Sequence, residues 1–131
     1  MITKITPDFQ KSNALKQMAE ITLKRLNSTN LEEYPSNTLL DYYDILHQLL
    51  EAIAFKEGFK TKGEGAHQEL INQIAKQGIL NESSRNFLQK MRDYRNRISY
   101  QGLMINKNYL DNNKLAIEKL ISELFQFLNK H

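Results

Sequence analysis

Five basic side chains, Arg85, Lys90, Arg92, Arg95 and Arg97, crowd into one short stretch in which Asp93 is the one acid. That stretch carries +4, against +3 for the whole chain, so the remainder is close to neutral at −1. A basic segment on a near-neutral body fits a polyanion whose phosphates it can neutralise, and it also fits a solvated helix face. Proton transfer near neutral pH calls for histidine, and the chain has His47, His67 and His131. His67 precedes Leu70, Ile71 and Ile74 by three, four and seven residues, so it is expected on an inward stripe as a hydrogen-bonded core residue. His47, one turn after Tyr43 and one before Glu51, is expected to be structural, and the terminal His131 is expected to fray.

Other chemistries lack their residues. The chain has no cysteine, so a disulfide framework, a thiolate metal site and a cysteine nucleophile are excluded. No His-x-x-x-His spacing or comparable ligand set occurs, and neither a metal nor a cofactor is expected. The glycines near Gly63 are followed by no Lys-Ser or Lys-Thr pair, and no Gly-x-Ser-x-Gly elbow is present. Glu32, Glu33, Asp41 and Asp44 read as helix-start acids that complement the helix dipole.

The elements that must position these residues are helices. The composition, 40% hydrophobic and 25% charged over 131 residues, is that of one globular domain spanning 1–131. Thr6 and Pro7 predict a helix start, and Leu15, Met18, Thr22 and Leu26 keep helical spacing until Asn27–Asn30 breaks it. A second helix is predicted from Pro35 to Gly58; its apolar residues cover more than one face, so it should be central. A third, about Glu64 to Gln77, follows a glycine-bearing loop. Asn81 predicts the N-cap of a fourth that stops near Gly102, and a fifth is expected to begin around Asn108 to Asp111. No strand is predicted, the one β-leaning stretch being Gly102 to Ile105. The expected fold is all-α, a single up-and-down bundle of about five helices. No apolar run reaches membrane-spanning length and no leader is evident, so a cytoplasmic protein is expected.

On the fourth helix, Phe87, Met91, Tyr94 and Ile98 form one apolar stripe. At 100° per residue Arg95 falls roughly 70° from its centre, Arg97 roughly 90° to the other side, and Arg92 well away, toward solvent or a partner. Arg95 is therefore expected on the shoulder of the buried face, where a guanidinium needs a partner or a cleft.

The run Met91-Arg92-Asp93-Tyr94-Arg95-Asn96-Arg97-Ile98-Ser99-Tyr100 resembles the signature of HEPN domains, helical bundles of prokaryotic toxin–antitoxin, defence and RNA-processing systems. That signature is an arginine followed by a polar residue, three further residues and a histidine; Arg95 and Asn96 match its start. Leu46 to Lys60, with its Gly58-Phe59 turn, is similar to the family's second helix, so the likeness extends over roughly Tyr42 to Gly102. The histidine position is taken by Tyr100, and Gly102 stands where some members carry a modifiable tyrosine. Active members use the arginine and histidine for metal-independent RNA cleavage, commonly in a cleft shared by two protomers. Such cleavage takes a proton from a ribose 2′-hydroxyl, gives one to the leaving 5′-oxygen and stabilises charge on phosphorus. Tyrosine, ordinarily about one part in a thousand ionised at pH 7, is a poor base but a competent donor and stacking surface.

The resemblance implies two alternatives. One is an RNA-directed protein, a weak or degenerate endoribonuclease. In it Arg95 stabilises phosphate, Asn96 orients or bonds the 2′-hydroxyl, Tyr100 stacks or donates a proton, and Arg92 and Arg97 contact the RNA backbone. The other is a non-catalytic helical module that partners a nucleotidyltransferase or another toxin–antitoxin component, with Arg95 and Tyr100 at the interface. A homodimer is implied in either case. Arg95 and Tyr100, five apart, point about 140° from each other on a straight helix, so a common site requires the helix to end or bend there.

Overall fold

The computed structural model describes residues 1–130; His131 lies outside the described residues. Five helices account for about three quarters of it: α1 (Phe9–Asn27), α2 (Pro35–Glu57), α3 (Ala66–Lys76), α4 (Glu82–Gln101) and α5 (Lys107–Lys130). The bundle expected from apolar periodicity is present, and α2 is its axis. Leu39, Tyr42, Tyr43, Ile45, Leu46, Leu49, Leu50 and Ile53 of α2 are each at most 1% exposed. A helix apolar on several sides is stable in water only when neighbours cover those sides, and here α1, α3, α4 and α5 all pack on it.

Side-chain ties to backbone fix the directions of the long helices. The Ser12 hydroxyl donates to Ala52 O at 2.7 Å and Arg25 meets Asp41, so α1 runs antiparallel to α2. Ile105 N donates to Ser36 Oγ near the start of α2, and Lys56 Nζ donates to Leu128 O near its end, so α5 runs parallel to α2. The Tyr94 and Tyr109 rings meet at 4.6 Å. The first turns of α4, by contrast, face Ala116 to Glu123, which makes α4 antiparallel to α5. Up-and-down order therefore holds for the four long helices, while short α3 leans on α2 and α4. Among the described residues no helix is long and apolar enough to cross a membrane.

Several boundaries differ from the sequence reading, each for a local reason. The first helix starts at Phe9, not at Pro7, because Asp8 is the cap: its carboxylate accepts from Lys11 N at 2.9 Å. Ile5 N and Asp8 N donate to Gly58 O and Phe55 O, each at 2.9 Å, which holds the Thr6-Pro7 segment along the end of α2. The third helix starts at Ala66 rather than Glu64, because Gly63 and Gly65 adopt φ of 85° and 75°, outside the right-handed helix. The fifth begins at Lys107, one residue after Asn106, whose side chain accepts from Tyr109 N at 2.8 Å.

Two short strands were not predicted. β1 (Ile2–Lys4) pairs antiparallel with β2 (Phe59–Thr61), Ile2 opposite Thr61 and Lys4 opposite Phe59. Three residues are too few to show alternation, and the pairing is between segments far apart in sequence. Gly102 to Ile105, the stretch that leaned toward β, is not a strand. The hairpin-like pair abuts Gly58, which ends α2 at φ 90°; a Cβ there would sit 2.9 Å from Ile5 O. Glycine is needed at this position both for the left-handed turn and for the close approach.

Candidate functional site

The depth profile of α4 explains where its arginines go. Of the expected stripe only Met91 is buried; Phe87, Tyr94 and Ile98 pack at the margin, and the deepest residue is Leu88, 0% exposed. Taking Leu88 as the centre, Arg95 falls roughly 20° away and Arg92 roughly 40° to the other side. Both arginines therefore lie on the inward face, toward α2 and α3, and both are half-buried. Arg95 thus lies nearer the centre of the buried face than the expected shoulder, and it lines a cleft there. Arg92 does not point away to solvent as expected, because the buried face is centred on a residue that the stripe left out.

Arg92, Arg95, Asn96 and Tyr100 line one side of a polar cleft of about 220 Å³. Its other side is the loop and first turn of α3, from Gly63 through Gly65, Ala66 and His67 to Gln68. Arg95 Nη1 donates to Asn96 Oδ1 at 3.3 Å, and Arg92 Nε donates to Gln89 Oε1 at 2.8 Å. Neither guanidinium is ion-paired among the described residues. Arg85 and Arg97 differ: the first is bound by Glu82 and the second lies 3.8 Å from Asp93. Arg97 faces solvent on the far side of the helix and does not line the cleft. Tyr100 stands on the rim, 77% exposed. It lines the cleft with Arg95 although α4 stays helical through Gln101, so the end or bend expected between the two residues is not what brings them to one site.

Behind the arginines lies a group that sequence spacing did not bring together. The His47 and His67 rings stack with centroids 3.8 Å apart, and the Tyr43 hydroxyl is 3.4 Å from His67 Nδ1. His67 does make a hydrogen bond, as expected, but it is half-buried and forms part of the cleft wall. His47 lies deeper; its Nε2 is 3.7 Å from Glu51 Oε1, beyond hydrogen-bonding range. Burial, then the neighbouring His67, then Arg95 push the His47 pKa down to about 4, so at pH 7 the ring is neutral and its contact with Glu51 is not an ion pair. Burial, then Arg95 and Arg92, also lower His67. Burial raises the Tyr43 hydroxyl to about 12, only partly offset by Arg92 and Arg95, so it stays protonated. The Asp44 carboxyl is raised, chiefly by burial, with Arg95 acting the other way.

Electrostatically, two permanent cations face the His67 imidazole across a pocket open to solvent, with the neutral His47 ring stacked behind it. Such a pocket can bind a phosphate with the guanidinium groups and leave an uncharged imidazole to move a proton. Tyr43 and His67 were the functional candidates missed. The available signal was His47 one turn after Tyr43, but its partner, supplied by α3, has no mark in local sequence. Comparison with protein-family models, with curated proteins and with solved structures gives no match.

Proposed function

We propose that this chain is a HEPN-like, RNA-directed protein whose cleft between α3 and α4 binds the ribose-phosphate backbone and supports metal-independent cleavage at a low rate. The observation that carries this reading is the pair Arg92 and Arg95. Both are half-buried, both are hydrogen-bonded to neutral side chains with no ion pair among the described residues, and both line the same polar cleft. A guanidinium withdrawn from water without a carboxylate is better stabilised once an anion arrives. Phosphodiester oxygens match its bidentate geometry. In this reading Asn96 orients the 2′-hydroxyl, exposed Tyr100 stacks on a base or donates a proton, and Arg97, outside the cleft, contacts flanking phosphate. A homodimer, as the resemblance implies, would enclose the open side of the cleft.

A second reading is favoured by the exposure of Tyr100 and Met104, 77% and 82%, at the end of α4. A large aromatic and a methionine on the surface beside the cleft also suit contact with a protein, such as a nucleotidyltransferase or antitoxin partner.

Cleavage of end-labelled, mixed-sequence RNA in EDTA separates the two. Wild type is expected to cut slowly, Arg95→Ala not at all, and Tyr100→His faster than wild type; Tyr100→Phe reports on the hydroxyl. RNA affinity is expected to fall with salt, with the slope reduced by about one for each of Arg92→Ala and Arg95→Ala. If no variant binds or cuts RNA, the partner-module reading replaces the first. Light scattering at micromolar concentration tests the dimer.

A further inference from the structure

We propose that His67 is the proton acceptor of this cleft, supplied by α3 instead of by the fourth helix. This rests on the RNA-directed reading above and adds to it the group that would do the chemistry. Tyr100 occupies the position from which the resemblance would draw a histidine, and on that ground the sequence describes a site that has lost its base. Geometry replaces the loss. His67 lines the same cleft as Arg95 and Asn96. Two contacts from α2 restrain its ring: the Tyr43 hydroxyl at Nδ1 and the face of His47 at 3.8 Å. A side chain held by a hydrogen bond on one edge and a stack on one face has little rotamer freedom left, which is what an efficient acid–base group requires.

The Tyr43 contact at Nδ1 fits either neutral tautomer, and proton acceptance by Nε2 requires the one in which Nδ1–H donates to the Tyr43 oxygen. The charged and titratable groups around His67 are Tyr43 and His47 from α2 and Arg92 and Arg95 from α4. The two guanidiniums disfavour a third cation, so the ring rests neutral and is ready to accept. The step balances as follows. His67 Nε2 takes the 2′-hydroxyl proton as the bond from O2′ to phosphorus forms. The bond from phosphorus to O5′ breaks, and the departing oxygen takes the Tyr100 hydroxyl proton. The tyrosinate then recovers a proton from the imidazolium through solvent. The products are a 2′,3′-cyclic phosphate and a 5′-hydroxyl, and the protein ends as it began.

The decisive variant is His67→Asn, whose amide retains a partner for Tyr43 but has nothing at the Nε2 position. Cleavage of the same RNA in EDTA is expected to slow by about 100-fold or more, while RNA affinity stays within about threefold and the helical circular dichroism is unchanged. The acid limb of the wild-type pH–rate profile is expected below the ordinary histidine value of about 6.5. In wild type, the His67 ring resonances are expected to titrate to higher pH on addition of uridine 3′-monophosphate, because a bound phosphate dianion offsets the two guanidiniums. Wild-type cleavage that survives in His67→Asn overturns the inference and leaves the RNA-directed reading standing. RNA binding that needs Arg95 but gives no cleavage has the same consequence. A wild type that neither binds nor cuts RNA removes both. A His67 resonance that does not respond to the nucleotide also overturns the assignment, without relying on a variant that folds.

Discussion

The seam between α1 and α2 and the cleft between α3 and α4 treat polar groups in opposite ways. Along the first, the buried Ser12 hydroxyl is taken up by the Ala52 carbonyl, Arg25 meets Asp41, and Ala19 and Leu26 fill the space between. Along the second, Gln89 bridges to Gln68 O and Asn72 Oδ1, yet among the described residues Arg92 and Arg95 are hydrogen-bonded to neutral Gln89 and Asn96 and form no ion pair. Burying charge without a counter-charge does nothing for folding. The difference teaches that the first seam is organised around stability, and that the second leaves Arg92 and Arg95 without an ion pair among the described residues even though Arg85, farther along it, is bound by Glu82.

The comparison can be broken most forcefully in the core that both regions lean on. Ile53→Ala, at a fully buried site of α2, is expected to lower the unfolding free energy by about 2–5 kcal/mol in urea titrations.

Next in size is a pH effect that belongs to the cleft side alone. His47 is neutral in the fold down to about pH 4, whereas in the unfolded chain it protonates near the ordinary value of 6.5. Between those values the unfolded chain holds more protons, so stability falls as pH falls, by on the order of 3 kcal/mol in full. Urea midpoints of wild type and His47→Leu should therefore converge as pH drops from 7 to 4.5. A constant difference between them would show that His47 is not held neutral.

Smaller is Ser12→Ala, expected to cost about 1 kcal/mol because the buried bond from its hydroxyl to the Ala52 carbonyl is lost. Smallest is Arg95→Ala, expected to leave unfolding within about 0.5 kcal/mol while RNA affinity drops. A stability loss from Arg95→Ala as large as that from Ser12→Ala would erase the distinction between the two regions.

Much of the fold was legible because helical periodicity is local. The apolar run of α2 announced a central helix, Asn81 marked the start of α4, and Gly58 and Gly102 marked helix ends. The strands were not legible, since Ile2–Lys4 has meaning only beside Phe59–Thr61. In the candidate site, Arg95, Asn96 and Tyr100 were found in the sequence and do share a cleft. Arg92 was named with the wrong orientation and joins them, whereas Arg97, named for backbone contact, remains on the solvent side with Asp93.

By itself the sequence determined the helices, their order and the basic character of α4, because each follows from residue spacing along one segment. Which face of α4 is deepest was decided by packing on α2: the helix turns to bury Leu88, and that rotation brings Arg92 and Arg95 inward. The stacking of His47 on His67 likewise needed α3 to fold back across α2, through a loop whose Gly63 and Gly65 take left-handed backbone angles. No spacing along the chain encodes a contact between residues twenty apart on different helices. It exists because α2, apolar on several sides, must be covered by neighbours, and α3 is one of them.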